Sequence, residues 1–174
     1  MGYTLVLGRD LNHDQTDVGP EVIELLQAGI KHQRKTGDTL VVAPGYSPDF
    51  PHQPRPYSAM MADWLRANGA TKVYELVSDH FSTFGELEIF CETYGGGSVI
   101  GFDWHLKRAK MLAEHVPGSH HWPTYLKWEP VYKPMNTFDR IMEPLKRLNA
   151  RLPPTWQRRL VRLFKLLVSR RTSY

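Results

Sequence analysis

Residues 98–112, SVIGFDWHLKRAKML, carry the strongest fold signal in this chain. A short apolar run ends at Gly101, and a helical pattern begins directly after it. This order predicts a β-strand followed by an α-helix, as in a βα unit. In such a unit the residues after the strand lie at the carboxyl edge of the sheet, where free N–H groups at the helix start attract anions.

The polar side chains at this corner suit a ligand better than a core. His105 and Arg108 are three residues apart and therefore share one face of the predicted helix, and Asp103 precedes them. An imidazole beside a guanidinium fits a phosphate-like group. The alternative interpretation is a helix start whose polar side chains are simply solvated.

Short β-rich runs alternate with helical patterns along most of the chain. The runs are Thr4–Leu7, Thr39–Ala43, Lys72–Val77 and Ser98–Gly101. Gly37 and Gly69 are placed to end the first two helices, because glycine readily adopts the left-handed conformation. The alternation predicts an α/β fold, a three-layer sandwich with a mainly parallel sheet, over residues 1–135.

Charge is distributed unevenly along the chain. Residues 1–119 contain 10 Lys and Arg against 15 Asp and Glu, a net charge of −5, whereas residues 120–174 contain 12 against 3, a net charge of +9. We expect a basic helical extension over residues 136–174, with an amphipathic helix from Trp156 to Arg171. Such a helix binds an anionic membrane or an acidic partner, or it packs on the domain. Nucleic acid is not expected, because aromatic platforms and recognised motifs are missing beside the charge.

The loop after the first predicted strand, residues 8–19, is polar and rich in Asp. Gly8, Arg9, Asp10 and Asn12 are its candidate ligand contacts, because they follow the strand end directly. A calcium loop is disfavoured, since Gln15 stands where the sharp turn requires glycine. The glycine spacing also differs from that of a dinucleotide-binding fingerprint.

Two further loops end at the same expected edge. Gly45 follows the second strand and allows the backbone to approach a ligand closely. After the third strand, Ser82 or Thr83 can cap a helix, and Glu86 has the spacing of a capping box with Thr83. The same hydroxyl groups at a helix start could also bind an oxyanion.

Composition bounds the class of protein. A hydrophobic content of 41% and a charged content of 23% are typical of a globular domain. The single cysteine, Cys91, excludes an internal disulfide, and its apolar neighbours predict a buried thiol. No histidine pair has metal-ligand spacing, so we expect no metal site. The absence of a signal-like or membrane-spanning segment predicts a cytoplasmic protein, held at the membrane surface if the basic helix binds lipid.

The motifs together resemble the SanA, ElyC and YdcF proteins, a domain-of-unknown-function family. The resemblance covers about residues 3–115. It rests on a strand ending at Gly8, a second strand followed by Gly45, the Ser82-Thr83-x-x-Glu86 segment and His105-x-x-Arg108-Ala109. Only the last motif is fairly specific. Three features depart from the family: the usual Gly-Gly pairs are reduced to single glycines, Tyr57 stands where an acidic residue is expected, and the Ser/Thr motif has one extra residue before Glu86.

The resemblance implies a Rossmann-like α/β domain with a polar cleft, in a family linked to envelope maintenance and lipid-carrier metabolism. Our leading hypothesis is a domain that binds, and if it is an enzyme hydrolyses or transfers, a small phosphorylated or nucleotide-like ligand. The alternatives are a non-enzymatic membrane-associated interaction protein and a transferase using S-adenosylmethionine. The expected catalytic residues are His105, Glu86 and Asp103; the expected ligand-binding residues are Gly8, Arg9, Asp10, Asn12, Gly45, Ser82, Thr83 and Arg108.

Overall fold

Five parallel strands form the sheet at the centre of the first of two units. The computed structural model describes residues 2–8, 11–46, 53–77, 82–114 and 125–151; residues 1–133 form the first unit and residues 134–174 the second. The strands are β1 (Tyr3–Val6), β2 (Thr39–Val42), β3 (Val73–Glu75), β4 (Gly97–Phe102) and β5 (Leu126–Val131). Their order in the sheet is β3-β2-β1-β4-β5, and every neighbouring pair is parallel.

Helices cover both faces of this sheet. They are α1 (Pro20–Thr36), α2 (Tyr57–Ala67), α3 (Thr83–Tyr94) and α4 (Asp103–Ala113), each following one of the first four strands. Helix α1 lies against α2, and α3 lies against α4. Gly29 of α1 faces Val6, whereas Leu5 packs in a cluster with Leu87 and Leu106 of the other helix pair. Because consecutive strand residues point to opposite faces, the sheet is buried between two helical layers, which confirms the expected α/β fold.

The predicted helix ends are confirmed. Gly37 follows α1 with a φ of 75°, and its N–H donates to the carbonyl of Gln33 at 2.7 Å. Gly69 follows α2 with a φ of 90°. Both glycines occupy the left-handed region, where a side chain would be strained.

Strand β5 is the element that the apolar pattern does not predict. It pairs along its whole length with β4, from Gly97 opposite Leu126 to Phe102 opposite Val131. Pro130 interrupts its sequence and lacks an N–H donor, which normally argues against a strand. An edge position tolerates proline because one side of the strand needs no ladder hydrogen bonds.

A buried amide ties α1 to the starts of β2 and β3. Gln33 donates through Nε2 to the carbonyls of Asp38 at 2.9 Å and Lys72 at 2.8 Å. Its Oε1 accepts from the Thr71 N–H at 2.9 Å. Sequence patterning gave no sign of this residue's role, because it reads as one polar position in a helix.

The second unit contains helix α5 (Thr137–Ala150), which lies within the expected extension. The side chain of Asn136 accepts from the Asp139 N–H at 2.8 Å and so caps the helix start. The expected amphipathic helix from Trp156 to Arg171 lies outside the described residues. In the part of the chain that is described, every helix is too short or too polar to cross a bilayer.

Candidate functional site at the carboxyl edge of the sheet

The strand order places a topological switch point between β1 and β4, the position at which parallel α/β sheets usually form a ligand crevice. From β1 the chain moves to β2 and β3 on one side, and it then returns to β4 on the other side. The connections after β1 and β4 therefore run in opposite directions along the sheet. Gly8 follows β1, and Asp103 begins α4 directly after β4. This is the corner that the sequence singled out.

The start of α3 contacts the end of β1 at this switch point. Ser82, not Thr83, is the N-cap, and its hydroxyl accepts from the Gly85 N–H at 3.1 Å. Glu86 does not complete a capping box. Its Oε2 instead accepts from the Gly8 N–H at 2.9 Å, which ties the first turn of α3 to the end of β1.

Glu86 is an unusual carboxyl group because it is only 4% exposed. Burial raises the pKa of Glu86 to about 8, and the hydrogen bond from the Gly8 N–H offsets only part of that effect. The group therefore exchanges its proton near neutral pH. A carboxyl group with such a pKa is suited to general acid–base chemistry.

His105 links the two helix starts. It lies in the first turn of α4, is 3% exposed, and stacks on the neighbouring ring of Trp104. Its Nε2 lies 2.8 Å from Oγ1 of Thr83, so one of these atoms donates to the other. The N-termini of α3 and α4 are thus joined by a partly buried hydrogen bond.

The second loop packs closely against Gly8. A Cβ atom at Gly8 would lie 2.9 Å from Cγ of Pro44 and 3.3 Å from Cε1 of Tyr57, so a larger residue would displace this wall. The carbonyl of Gly45 accepts from the Tyr57 N–H at 3.2 Å and from Nε2 of Gln53 at 3.4 Å. Tyr57 is fully buried. Tyr57 was not among the predicted site residues. The sequence feature that could have pointed to it is its position where the family resemblance leads one to expect an acidic residue.

Asn12, a further predicted ligand contact, organises the loop that follows β1. Asn12 accepts through Oδ1 from the N–H groups of Thr16 and Asp17, at 2.9 and 3.1 Å, and so holds the turn over residues 11–18 together. Arg9 and Asp10 lie outside the described residues.

Asp103 and Arg108 lie on α4 on either side of His105. Asp103 is the first residue of the helix, and both side chains are partly buried. Arg108 is three residues after His105, which places it on the same helix face one turn further from the sheet edge. The structure therefore brings together Gly8, Thr83, Glu86 and His105, with Asp103 and Arg108 on the adjoining helix.

Chemically, this arrangement combines two helix N-termini with a titrating carboxyl, an imidazole and a hydroxyl. Helix N-termini favour negative charge, and the side chains can exchange protons. Among the described residues, no three His, Cys, Asp or Glu side chains are grouped so as to hold a metal ion.

Comparison with known proteins gives no functional assignment for this chain. No protein-family model, curated protein or solved structure matches the chain significantly.

Proposed function

We propose that this chain binds a small phosphorylated or nucleotide-like ligand in the crevice between β1 and β4. The observation that carries the proposal is the meeting of three chain segments through two hydrogen bonds, Glu86 with Gly8 and Thr83 with His105. These bonds hold the end of β1 and the starts of α3 and α4 at one place. Pre-organised polar groups at a switch point are the usual setting for ligands in parallel α/β folds.

The anionic part of the ligand is bound by the helix N-termini and Arg108. The first N–H groups of α4 and the guanidinium of Arg108 supply positive charge from one helix, and the start of α3 adds its dipole. The Gly8 N–H already serves Glu86, so the ligand takes its hydrogen bonds from the helices and from His105.

If the ligand also reacts, Glu86 and His105 are the acid–base pair. Glu86 carries or releases a proton near neutral pH, and His105 has its Nε2 oriented by Thr83. Hydrolysis or transfer at a phosphate ester needs such proton transfers to the leaving group or from the nucleophile. Asp103, at the start of α4, completes the catalytic set that we propose.

The resemblance to the SanA, ElyC and YdcF proteins supports the same site. Its most specific motif, His105 to Ala109, lies near the start of α4, and the weaker Ser82 to Glu86 motif lies at the start of α3. The Thr83–His105 hydrogen bond joins these two helix starts. We therefore propose membership of that family and a role in envelope or lipid-carrier metabolism. Phosphorylated isoprenoids then join nucleotides as the first ligands to test.

The proposal predicts that ligand-induced stabilisation depends on α4. Thermal unfolding is measured with inorganic phosphate, ADP, farnesyl phosphate and S-adenosylmethionine. We expect a phosphorylated compound to raise the melting temperature, and His105→Ala and Arg108→Ala each to weaken its binding at least about tenfold, since a charged hydrogen bond contributes about 1.5–3 kcal/mol.

Lys107→Ala is the matched control, because Lys107 is an exposed cation on the same helix. It should leave binding unchanged. Undiminished binding by both the His105 and Arg108 variants would place the ligand elsewhere and refute the site. Stabilisation by S-adenosylmethionine alone would favour the transferase alternative.

A further inference from the structure

Helix α5 exposes its apolar side. Ile141, Leu145 and Leu148 are 66%, 45% and 61% exposed, and their spacing places them on one stripe of the helix. Soluble helices normally bury such a stripe and expose their charged residues. Here the acidic residues Asp139 and Glu143 are buried instead, at 1% and 2% exposure.

Basic residues frame this stripe. Arg140 lies beside Ile141, and Arg151 lies one turn beyond Leu148; both are exposed. Among the side chains of this segment that the structure describes, the exposed ones are Thr137, Arg140, Ile141, Pro144, Leu145, Leu148 and Arg151, and they form this side. It contains no Asp or Glu, so an apolar centre about 11 Å long, at 1.5 Å per residue, carries positive charge at both ends.

The acids of α5 do not neutralise the exposed side. Glu143 pairs with Nε of Arg147 at 3.4 Å, and Asp139 lies 3.8 Å from Nζ of Lys146. Both ion pairs use cations outside the exposed stripe. Arg140 and Arg151 therefore keep their charge available to an outside partner along the same side as the aliphatic residues.

The positive charge of this side distinguishes three possible partners: a second copy of α5, the chain segment that follows it and an anionic membrane. Two copies of α5 packed stripe to stripe would bring the arginines of one copy towards those of the other. The chain beyond the stripe is no better suited, because residues 152–174 contain six Lys and Arg and no Asp or Glu. An anionic lipid surface matches both the aliphatic stripe and its positive charge, since its acyl region accepts aliphatic side chains and its headgroups accept arginine.

We infer that the exposed side of α5 docks on an anionic membrane surface. The helix lies in the plane of the interface, with Ile141, Leu145 and Leu148 towards the acyl chains and Arg140 and Arg151 at the level of the phosphates. The inference concerns a different surface from the crevice of the first unit and does not depend on a ligand there.

The test is co-sedimentation of the full chain with two kinds of vesicle, equimolar phosphatidylglycerol and phosphatidylcholine, or phosphatidylcholine alone. We expect binding to the anionic vesicles and much weaker binding to the neutral ones. Replacing Arg140 and Arg151 with Gln should weaken binding about 25-fold, because each basic residue near an anionic surface contributes about 1 kcal/mol, or about fivefold. The triple variant Ile141→Ser, Leu145→Ser, Leu148→Ser should weaken it at least about tenfold.

The control variant, Tyr74→Ser with Tyr132→Ser, removes aromatic side chains outside α5 that are 56% and 82% exposed. It should bind anionic vesicles like the unsubstituted chain. Circular dichroism checks that every variant is folded. Unchanged binding by the triple variant, or no binding by the unsubstituted chain, would overturn the inference. So would a dimer, seen by analytical ultracentrifugation, that the triple variant abolishes without any vesicle binding.

Discussion

Glu86 shows at the level of one residue how burial changes chemistry. The carboxyl group is held inside the protein by its bond to the Gly8 N–H, and burial raises its pKa to about 8. The folded chain therefore binds this proton more tightly than the unfolded chain, whose Glu has an ordinary pKa near 4.5. The stability that the neutral group contributes is complete below about pH 4.5 and is lost as the pH rises through about 8.

Glu86→Gln should remove this pH dependence. The amide oxygen still accepts from the Gly8 N–H but cannot ionise, so the variant should become more stable than the parent as the pH rises. The difference should level off above about pH 8 at a value on the order of 5 kcal/mol, because the pKa is raised from 4.5 to about 8 and each pKa unit corresponds to about 1.4 kcal/mol. Urea unfolding from about pH 5 to about pH 9 measures it.

Glu92→Gln is the control, because Glu92 is an exposed acid on the same helix. Its stability profile should follow that of the parent chain. Parallel profiles for the Glu86 variant and the parent would show that the Glu86 carboxyl ionises as freely in the fold as in the unfolded chain.

Gln33 is the second residue whose environment determines its role. Its amide joins the carbonyls of Asp38 and Lys72 to the Thr71 N–H, and the side chain is 6% exposed. Gln33→Leu keeps a similar size but removes these hydrogen bonds. We expect a loss of roughly 2–4 kcal/mol in the free energy of unfolding, because three partly buried hydrogen bonds are lost and each contributes about 0.5–1.5 kcal/mol.

Gln27→Leu, an exposed glutamine on the same helix, should change stability by less than about 0.5 kcal/mol. Chemical denaturation of both variants gives the comparison. Equal losses would mean that helix propensity, and not the bridging hydrogen bonds, accounts for the effect.

At the level of elements, the Thr83–His105 hydrogen bond joins α3 to α4. Thr83→Val removes the hydroxyl while keeping the branched shape, so the imidazole Nε2 loses this partner. We expect the free energy of unfolding to fall by about 1–3 kcal/mol. Binding of any phosphorylated ligand should also weaken, because His105 is no longer held in one orientation.

Thr83→Ser should restore both properties, since it retains the hydroxyl. Thr93→Val is the control, because the exposed Thr93 bonds only within its own helix, to the Ile89 carbonyl at 2.7 Å. Thermal unfolding with and without ligand distinguishes the variants. If Thr83→Val and Thr93→Val behave alike, the contact between the helix starts does not support the site.

Elements were predictable where local chemistry determines them. The β-rich runs from Thr4 and Thr39 form β1 and β2, and Gly37 ends α1 as its conformational freedom indicates. Cys91 is buried, as its apolar neighbours predict, and burial, helped by the charge of Glu92, raises the pKa of its thiol to about 12. Strand β5 escaped prediction, because its pairing with β4 outweighs the presence of Pro130.

At the level of the whole molecule, the two proposed binding surfaces belong to different units of the chain and differ in charge. The crevice lies in the first unit, where the strand order diverges between β1 and β4. The exposed stripe of α5 lies in the second unit, within the part of the sequence whose net charge is +9. Ligand binding at one surface and lipid binding at the other can therefore be tested independently, with α4 variants for the first and α5 variants for the second.

The sequence by itself determined the α/β class, the helix ends and the corner at His105, because periodicity and turn chemistry act over a few neighbouring residues. Only the tertiary structure decided that Glu86 bonds to Gly8 instead of capping its own helix, and that Thr83 meets His105. These pairs are 78 and 22 residues apart in the chain. Their contact depends on the spatial order of the strands in the sheet, which no local pattern encodes. Burial in the folded protein then raises the pKa of Glu86.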